Sequence, residues 1–247
     1  MPTLHLLGTG AALSAADRTT TMLAFEGESV VVVDCGGDVV QRLQAADIDL
    51  DRIEALVVTH EHPDHVSGFP LFMEKIWLAQ RRRPIPVCGP RPAIEQARRI
   101  FEAFDTSGWK GLPQIDWRVV ALEEGAVVWS SEEWRITGAP GIHSVPVIGI
   151  RVEHRGSGGT VTYSSDTERS DAIQRLAKDA DILVHEGTGD FKGHVSAAGA
   201  ATLAREAGAR RLVLVHIPPT FDETELESAR VEFEGTEVGE DGGHYSF

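Results

Sequence analysis

The sequence predicts an α/β sandwich, two β-sheets covered by helices, and three observations carry that prediction. Short apolar runs alternate with turn residues along the whole chain. Strand-like runs such as SVVVVDCGG are interleaved with segments of helical period such as DVVQRLQAAD, rather than grouped apart. The 25 glycines and 12 prolines supply the many tight connections that such an order needs.

Taken in order, LHLLG, TMLAFEG and SVVVVDCGG read as three strands, the third β-branched and buried on both faces. DVVQRLQAAD is a helix, EALVVT a buried strand and GFPLFMEKIWLAQRRR a second helix. PIPVCGP is a short strand, and RPAIEQARRIFEAF a helix with Pro92 in its first turn. Further strands are expected at DWRVVA, EWRITGA, VIGIRVEH and GTVTYSS, with a turn at Gly156–Gly159. The order closes with helix SDAIQRLAKD, strand DILVHE, helix SAAGAATLAREAG and strand RLVLVH. The acidic tail from Asp222 to Phe247 is expected to pack loosely on the surface. No linker-like stretch interrupts the chain, so residues 1–247 read as one domain.

The formal charge of −15 argues against a general affinity for nucleic acid or anionic membranes. Arg81-Arg82-Arg83 is the one dense basic run, suited either to the C-terminal end of a helix or to a substrate phosphate. Two cysteines, Cys35 and Cys88, are too few for a disulfide framework and fit a reducing compartment. With no signal-peptide pattern at MPTLHLLGTG and no run of the ~20 apolar residues that span a bilayer, a cytoplasmic protein is expected.

Polar, metal-capable residues follow directly on apolar strands: His60 after ALVV, Asp166 after VTYSS, His185 after DILV and His216 after LVLV. If those strands lie side by side, their ends form one rim, where loops of such folds gather catalytic groups. The densest stretch is THEHPDHVSG. In an extended conformation His60, His62 and Asp64 would share one side and His65 would turn away. Pro63 argues against a helix interior, and the helical His-Glu-x-x-His zinc motif fails because position 64 is Asp.

His60-x-His62-x-Asp64-His65 followed by Gly68 resembles the signature of the metallo-β-lactamase superfamily. Gly8-Thr9-Gly10, Asp34-Cys35-Gly36, Tyr163 to Thr167, His185-Glu186-Gly187-Thr188 and Gly193-His194-Val195-Ser196 resemble its ribonuclease Z-like branch. The resemblance implies a four-layer αββα sandwich of two mixed β-sheets flanked by helices. It also implies two divalent metal ions: His60, His62 and His143 on the first, Asp64, His65 and His216 on the second, and Asp166 bridging them. Zinc suits these donors, with manganese and iron as alternatives. Ser170 is better placed than Asp166 to cap the following helix, and His216 is expected to be too exposed for a core histidine.

Two ions about 3.5–4 Å apart can deprotonate a water near pH 7 and neutralise charge during attack on phosphorus. The branch resemblance makes His194 the acid for the leaving alkoxide, positioned by Glu186, with Asp64 also taking a proton from the attacking water. The bland alternative for Glu186 and His194 is support of the ligands. His185 is expected to hydrogen-bond beside the site, and His5, His154 and His244 have no role. Ribonuclease Z enzymes that process precursor tRNA carry a long arm, which in the short bacterial form falls between the positions matching His143 and Asp166. Only 22 residues separate that pair here. The expectation is therefore a phosphodiesterase for small or nucleotide-like diesters, with RNA disfavoured. Alternatives are tRNA 3′-processing, a lactone or thioester hydrolase on the same centre, or a non-catalytic metal-binding regulatory protein. The apolar helix Gly68–Arg83 raises a homodimer interface against simple burial, and Trp109, Trp117, Trp129 and Trp134 raise a pocket lining against core packing.

Overall fold

The computed structural model describes residues 1–247. Its first seven-stranded sheet contains β1 (Thr3–Gly8), β2 (Met22–Glu26), β3 (Val30–Val33), β4 (Ile53–Val57), β5 (Ile85–Gly89) and β6 (Ile115–Val119). The second contains β7 (Ala126–Ser130), β8 (Trp134–Pro140), β9 (Ile148–His154), β10 (Thr160–Tyr163), β11 (Ile182–Glu186), β12 (Leu212–Val215) and β13 (Thr236–Val238). The last strand, β14 (His244–Ser246), crosses back to the first sheet, whose order is β14-β1-β2-β3-β4-β5-β6. The second sheet runs β13-β12-β11-β10-β9-β8-β7. Both are mixed: β3 to β6 and β10 to β13 run parallel, and the remaining pairs are antiparallel.

Helices cover both outer faces. On the first sheet these are α1 (Val39–Ala45), the one-turn α2 (Pro63–Val66), α3 (Phe69–Leu78) and α4 (Arg91–Glu102). On the second they are α5 (Asp171–Leu176), α6 (Ala197–Ala207) and α7 (Glu223–Glu232). The α/β sandwich is therefore the four-layer one, with an inter-sheet core drawn from β1 to β5 on one side and β7 to β12 on the other. Val30–Val33 is buried throughout because β3 sits mid-sheet, with its side chains alternately under the helices and between the sheets.

Local signals fix the ends of the helices that flank the site. Ser170 caps α5 by accepting from Ile173 N, and Ser196 caps α6 by accepting from Gly199 N. Gly208 closes α6 at φ +72°, a left-handed conformation that suits glycine.

Several expectations are corrected by the packing. The tail is not loose: it forms α7, β13 paired with β12, and β14 paired with β1. β7 was not anticipated. The helix after Gly68 stops at Leu78, so the arginine run lies outside it. Arg81 is buried, donating to Leu50 O, just before β4, and to Pro84 O, just before β5, while Arg82 reaches back to Trp77 O. That is the end of β4 remote from the histidine loop, so the run contacts no phosphate bound there. The tryptophans are structural: Trp134 is fully buried, Trp129 donates to Glu54, Trp117 packs on Phe69 and Trp109 stacks on Trp77. In α3, Phe69, Phe72, Met73 and Ile76 are buried, while Leu71 and Leu78 remain exposed. No helix is long and apolar enough to cross a membrane.

Candidate metal centre

The C-terminal ends of β3, β4, β10, β11 and β12 share one rim. The chain turns sharply there: Asp34, Ser165 and His216, each at or just past a strand end, have φ of 61°, 54° and 57°. Non-glycine residues in this left-handed region are uncommon, and such backbone strain clusters at functional sites. Here it re-aims side chains across the rim.

Two donor groups joined by one carboxylate result, with a third, Glu186, His194 and His216, adjoining them. His60, His62, His143 and Asp166 present ligand atoms within 4.8 Å of one another, and so do Asp64, His65, Asp166 and His216. Asp166 belongs to both. Its Oδ2 lies 3.7 Å from His60 Nε2 and 3.3 Å from His216 Nε2, and its Oδ1 lies 3.5 Å from His65 Nε2. Asp64 Oδ2 sits 3.5 Å from His65 Nε2 and 3.3 Å from His216 Nε2. The extended reading of the loop is corrected: His62 precedes the single turn of α2, with Pro63 in its first position, where the missing N–H costs nothing. That turn sets Asp64 beside His65 in the second group, where the extended reading had put Asp64 on the side of His60 and His62. His216 is also corrected, being only 3% exposed.

Four of the imidazoles are oriented through the nitrogen that points away from the donor groups. His65 Nδ1 donates to Asp34 Oδ2 at 2.8 Å, and His143 Nδ1 donates to Gly193 O at 2.8 Å. His216 Nδ1 donates to Thr188 Oγ1 at 2.7 Å, because that hydroxyl gives its own proton to His216 O. His60 Nδ1 faces Thr59 Oγ1 at 3.2 Å. Each Nε2 lone pair is therefore turned inward, the arrangement that outer partners impose on metal-binding histidines. Asp34, Thr59 and Thr188 were not singled out as orienting groups from the sequence. Asp34 and Thr188 lie within the motifs Asp34-Cys35-Gly36 and His185-Glu186-Gly187-Thr188, but nothing in those motifs says which imidazole each one meets.

The donor chemistry fits cations. His60 Nε2, His65 Nε2 and Asp166 Oδ1 are buried without a hydrogen-bond partner, a costly state for three neighbouring atoms unless a further group completes them. Burial, with the charge of His65, pushes His60 well below the ordinary imidazole value, which keeps its lone pair available. Burial opposes ionisation of Asp166, yet His216 and His65 outweigh it and hold the carboxyl well below its usual range. Burial opposes charge on His65, but Asp166 and Asp34 outweigh it and hold the imidazole well above its ordinary value, so a bound cation would take the place of that proton. Imidazoles with ionised carboxylates are the ligand set of a divalent pair.

Beside these groups, Glu186 is fully buried at the end of β11. Its Oε1 accepts from Thr167 N at 2.9 Å and from His194 Nδ1 at 3.0 Å, and its Oε2 accepts from Thr188 N at 3.1 Å. His194 is half-buried, and its ring stacks on that of His216 at 5.5 Å. Burial works against charge on His194, but the hydrogen bond and charge of Glu186 outweigh it, so the imidazolium is favoured.

Residues 30–217 match the family described as the Beta-lactamase superfamily domain. The chain belongs to the β-lactamase superfamily. Its relatives place it in the ribonuclease Z-like branch. It is 31% identical to a ribonuclease Z of Mycolicibacterium gilvum, over 87% of this chain and 84% of the relative. It is 29% identical to one of Methanothermobacter thermautotrophicus, over 98% of this chain and 95% of the relative. Among solved structures, the metallo-β-lactamase fold protein YhfI from Bacillus subtilis superposes with a TM-score of 0.81 at 22% identity, covering 100% of both chains. The short form of human tRNase Z superposes with a TM-score of 0.81 at 24% identity, covering 99% of this chain and 98% of that one. These likenesses give the β-lactamase superfamily fold.

Two features stand apart from the superfamily site. His185 is buried on β11, donates from Nδ1 to Glu186 O at 2.9 Å and joins neither donor group. A surface cavity lined in part by Arg151, Thr160, Asp181 and Arg210 lies at the opposite ends of β10 and β11.

Proposed function

We propose that this β-lactamase superfamily protein is a dinuclear metal-dependent phosphodiesterase acting on small or nucleotide-like diesters, with residues 1–247 working as one hydrolase unit. The observation that carries the reading is Asp166 standing between two histidine groups, each with an inward nitrogen, His60 Nε2 in one and His65 Nε2 in the other, that lacks a partner. His60, His62 and His143 would hold the first ion, Asp64, His65 and His216 the second, and Asp166, which belongs to both groups, would serve both; zinc is the metal that suits this set. When bound, the ions supply Lewis-acid polarisation of the phosphoryl oxygens and a deprotonated water.

The chain's own residues do the rest. Asp64 takes the proton of the attacking water on Oδ1, since Oδ2 is committed toward His65 and His216. His194 keeps Nδ1–H on Glu186 and gives the Nε2 proton to the departing alkoxide. This acid favours diesters, whose alkoxide leaving groups are poor without a proton.

A small substrate is favoured over precursor tRNA by the hairpin between His143 and Asp166. β9 and β10 pair directly from Ile150 and Tyr163 to Glu153 and Thr160, with a tight turn between them. The alignment with the Methanothermobacter ribonuclease Z is 299 residues long, more than the 247 of this chain, so that relative carries sequence with no counterpart here. The name of these relatives keeps RNA as the second reading.

The test is a turnover screen of metal-loaded protein against cyclic nucleotides, an aryl phosphodiester, a lactone, a thioester and precursor tRNA, with Asp64→Ala as control. Turnover of the small diesters, lost in Asp64→Ala, is the expected result. Activity on the lactone alone overturns the phosphodiesterase reading, and efficient cleavage of precursor tRNA moves the assignment to the second one.

A further inference from the structure

The loop that delivers His194 also exposes an aromatic ring. Phe191 is 55% exposed, and its ring centroid lies 4.8 Å from that of His194. An apolar ring left in water beside an acid and two cation sites buries little in the protein itself, so its packing value has to come from something else.

Hydrogen bonds pin the backbone that carries the ring. Gly189 N donates to Val195 O at 3.0 Å, closing the loop at its base, and His194 N donates to Phe191 O at 2.9 Å across its tip. Asp190 Oδ1 accepts from Ser196 N at 2.9 Å. Gly189 and Gly193 take φ of 138° and 88°, which side-chain-bearing residues rarely adopt. At Gly193 a Cβ would also lie 2.7 Å from His143 Nδ1. The second glycine thus lets the loop press against a metal-ligand candidate.

Glu168 joins this loop to the one before His143. Its carboxylate accepts from Gly193 N at 2.8 Å, and its own N–H donates to Ile142 O at 2.8 Å. Ile142, 49% exposed, therefore stands on the loop tied to that of Phe191, and Lys192 is exposed between Phe191 and Gly193. A flat ring beside His194 and an exposed aliphatic side chain next in sequence to His143 thus flank the paired donor groups.

We propose that Phe191 is a specificity-determining residue, stacking on the planar base of a nucleotidic substrate whose phosphate lies at the paired donor groups. The choice of ligand rests on the phosphodiesterase reading. A ring carried on a pinned backbone loses less freedom on binding, and a base stacked on one aromatic side chain gains affinity without reading base identity. The substrate class that follows is nucleotidic and tolerant of the base.

Equilibrium binding tests this without turnover. Adenosine 5′-monophosphate and ribose 5-phosphate share the phosphate and the sugar and differ only in the base. Calorimetric titration of metal-loaded protein is expected to show about tenfold tighter binding of the former, within the range for one base on one ring. Phe191→Ala and Phe191→Leu remove that preference and leave ribose 5-phosphate affinity unchanged, whereas Phe191→Tyr keeps it. Equal affinities in the unsubstituted protein, or a preference that survives in Phe191→Ala, overturns the proposal. A Phe191-dependent preference in a protein that hydrolyses no diester leaves the platform standing and removes the phosphodiesterase reading. Diester hydrolysis with no preference does the reverse.

Discussion

In the proposed mechanism His194 carries the chemistry that no metal ligand supplies. With Nδ1–H on Glu186, its Nε2 is the atom free to protonate an alkoxide. Replacing His194 with Ala is expected to lower kcat about 10²- to 10⁴-fold on a diester with an alkyl leaving group, and far less on a nitrophenyl diester, whose leaving group needs no proton. Bound metal, read by elemental analysis, stays at the level of the unsubstituted protein. The sign of the pH effect follows from Glu186. Burial disfavours the His194 cation, but Glu186 raises its pKa overall, so the acid stays protonated to higher pH and activity falls only as pH climbs through that raised value. Glu186→Gln removes the charge and moves the alkaline limb of the kcat profile to lower pH; a limb that stays in place argues against His194 as the acid. These residues were legible because the candidate ligands sit at the ends of apolar strands, and Glu186 and His194 within motifs. The acceptors on Nδ1 were not, since Asp34 and Thr188 reach His65 and His216 only through the fold. The burial of His216 was misjudged for the same reason: the loop that covers it comes from the other end of the chain.

The turn after β3 and the single turn of α2 form one clasp. Cys35 N donates to His65 O at 2.9 Å, and Gly68 N donates to Cys35 O at 2.8 Å. The backbones approach so closely that a Cβ on Gly36 would lie 1.7 Å from Asp64 O, and one on Gly68 2.2 Å from Gly37 O. Sequence pattern marks these glycines as turn residues but does not say which backbone they meet. Pro63 is outside any helix interior, as its ring requires, but at the first helical position it starts a turn that the extended reading of the loop left out, and that turn points His65 inward. Gly36→Ala must push α2 away. Overpacking of this kind costs about 1–3 kcal/mol, read as a lower urea midpoint at unchanged slope. The same displacement moves Asp64 and His65 but not His143. Affinity of the second metal should therefore drop more than that of the first in a chelator competition; equal losses would show that the clasp does not position the second site.

At the scale of the whole molecule, the two halves are closed by the tail. The acidic composition after Asp222 reads as solvated surface, but a capping box is also written there: Asp222 accepts from Glu225 N, and Glu225 accepts from Asp222 N. That local signal outweighs composition and starts α7, after which β13 and β14 add one edge strand to each sheet. Between them lies Asp241, largely buried. Its carboxylate accepts from Thr9 Oγ1 and Thr19 N, both at 2.8 Å, and pairs with Arg42 at 3.2 Å. Arg18 adds a bond from the same loop to Gly239 O at 2.6 Å. The loop so fixed supports the rim, because Ile217 N donates to Thr9 O at 3.0 Å and Ala11 N donates to Ile217 O at 3.1 Å, one residue beyond His216. Asp241→Ala deprives two donors of a partly buried acceptor and leaves Arg42 unpaired, a loss of about 1–3 kcal/mol in chemical denaturation. Because the loop then loosens behind His216, affinity for the second metal falls with stability, while Asp241→Asn, which keeps one acceptor oxygen, gives a smaller loss of both. Metal affinity unchanged in Asp241→Ala, against a lowered denaturation midpoint, would restrict the tail to stabilising the sandwich and remove it from the support of His216.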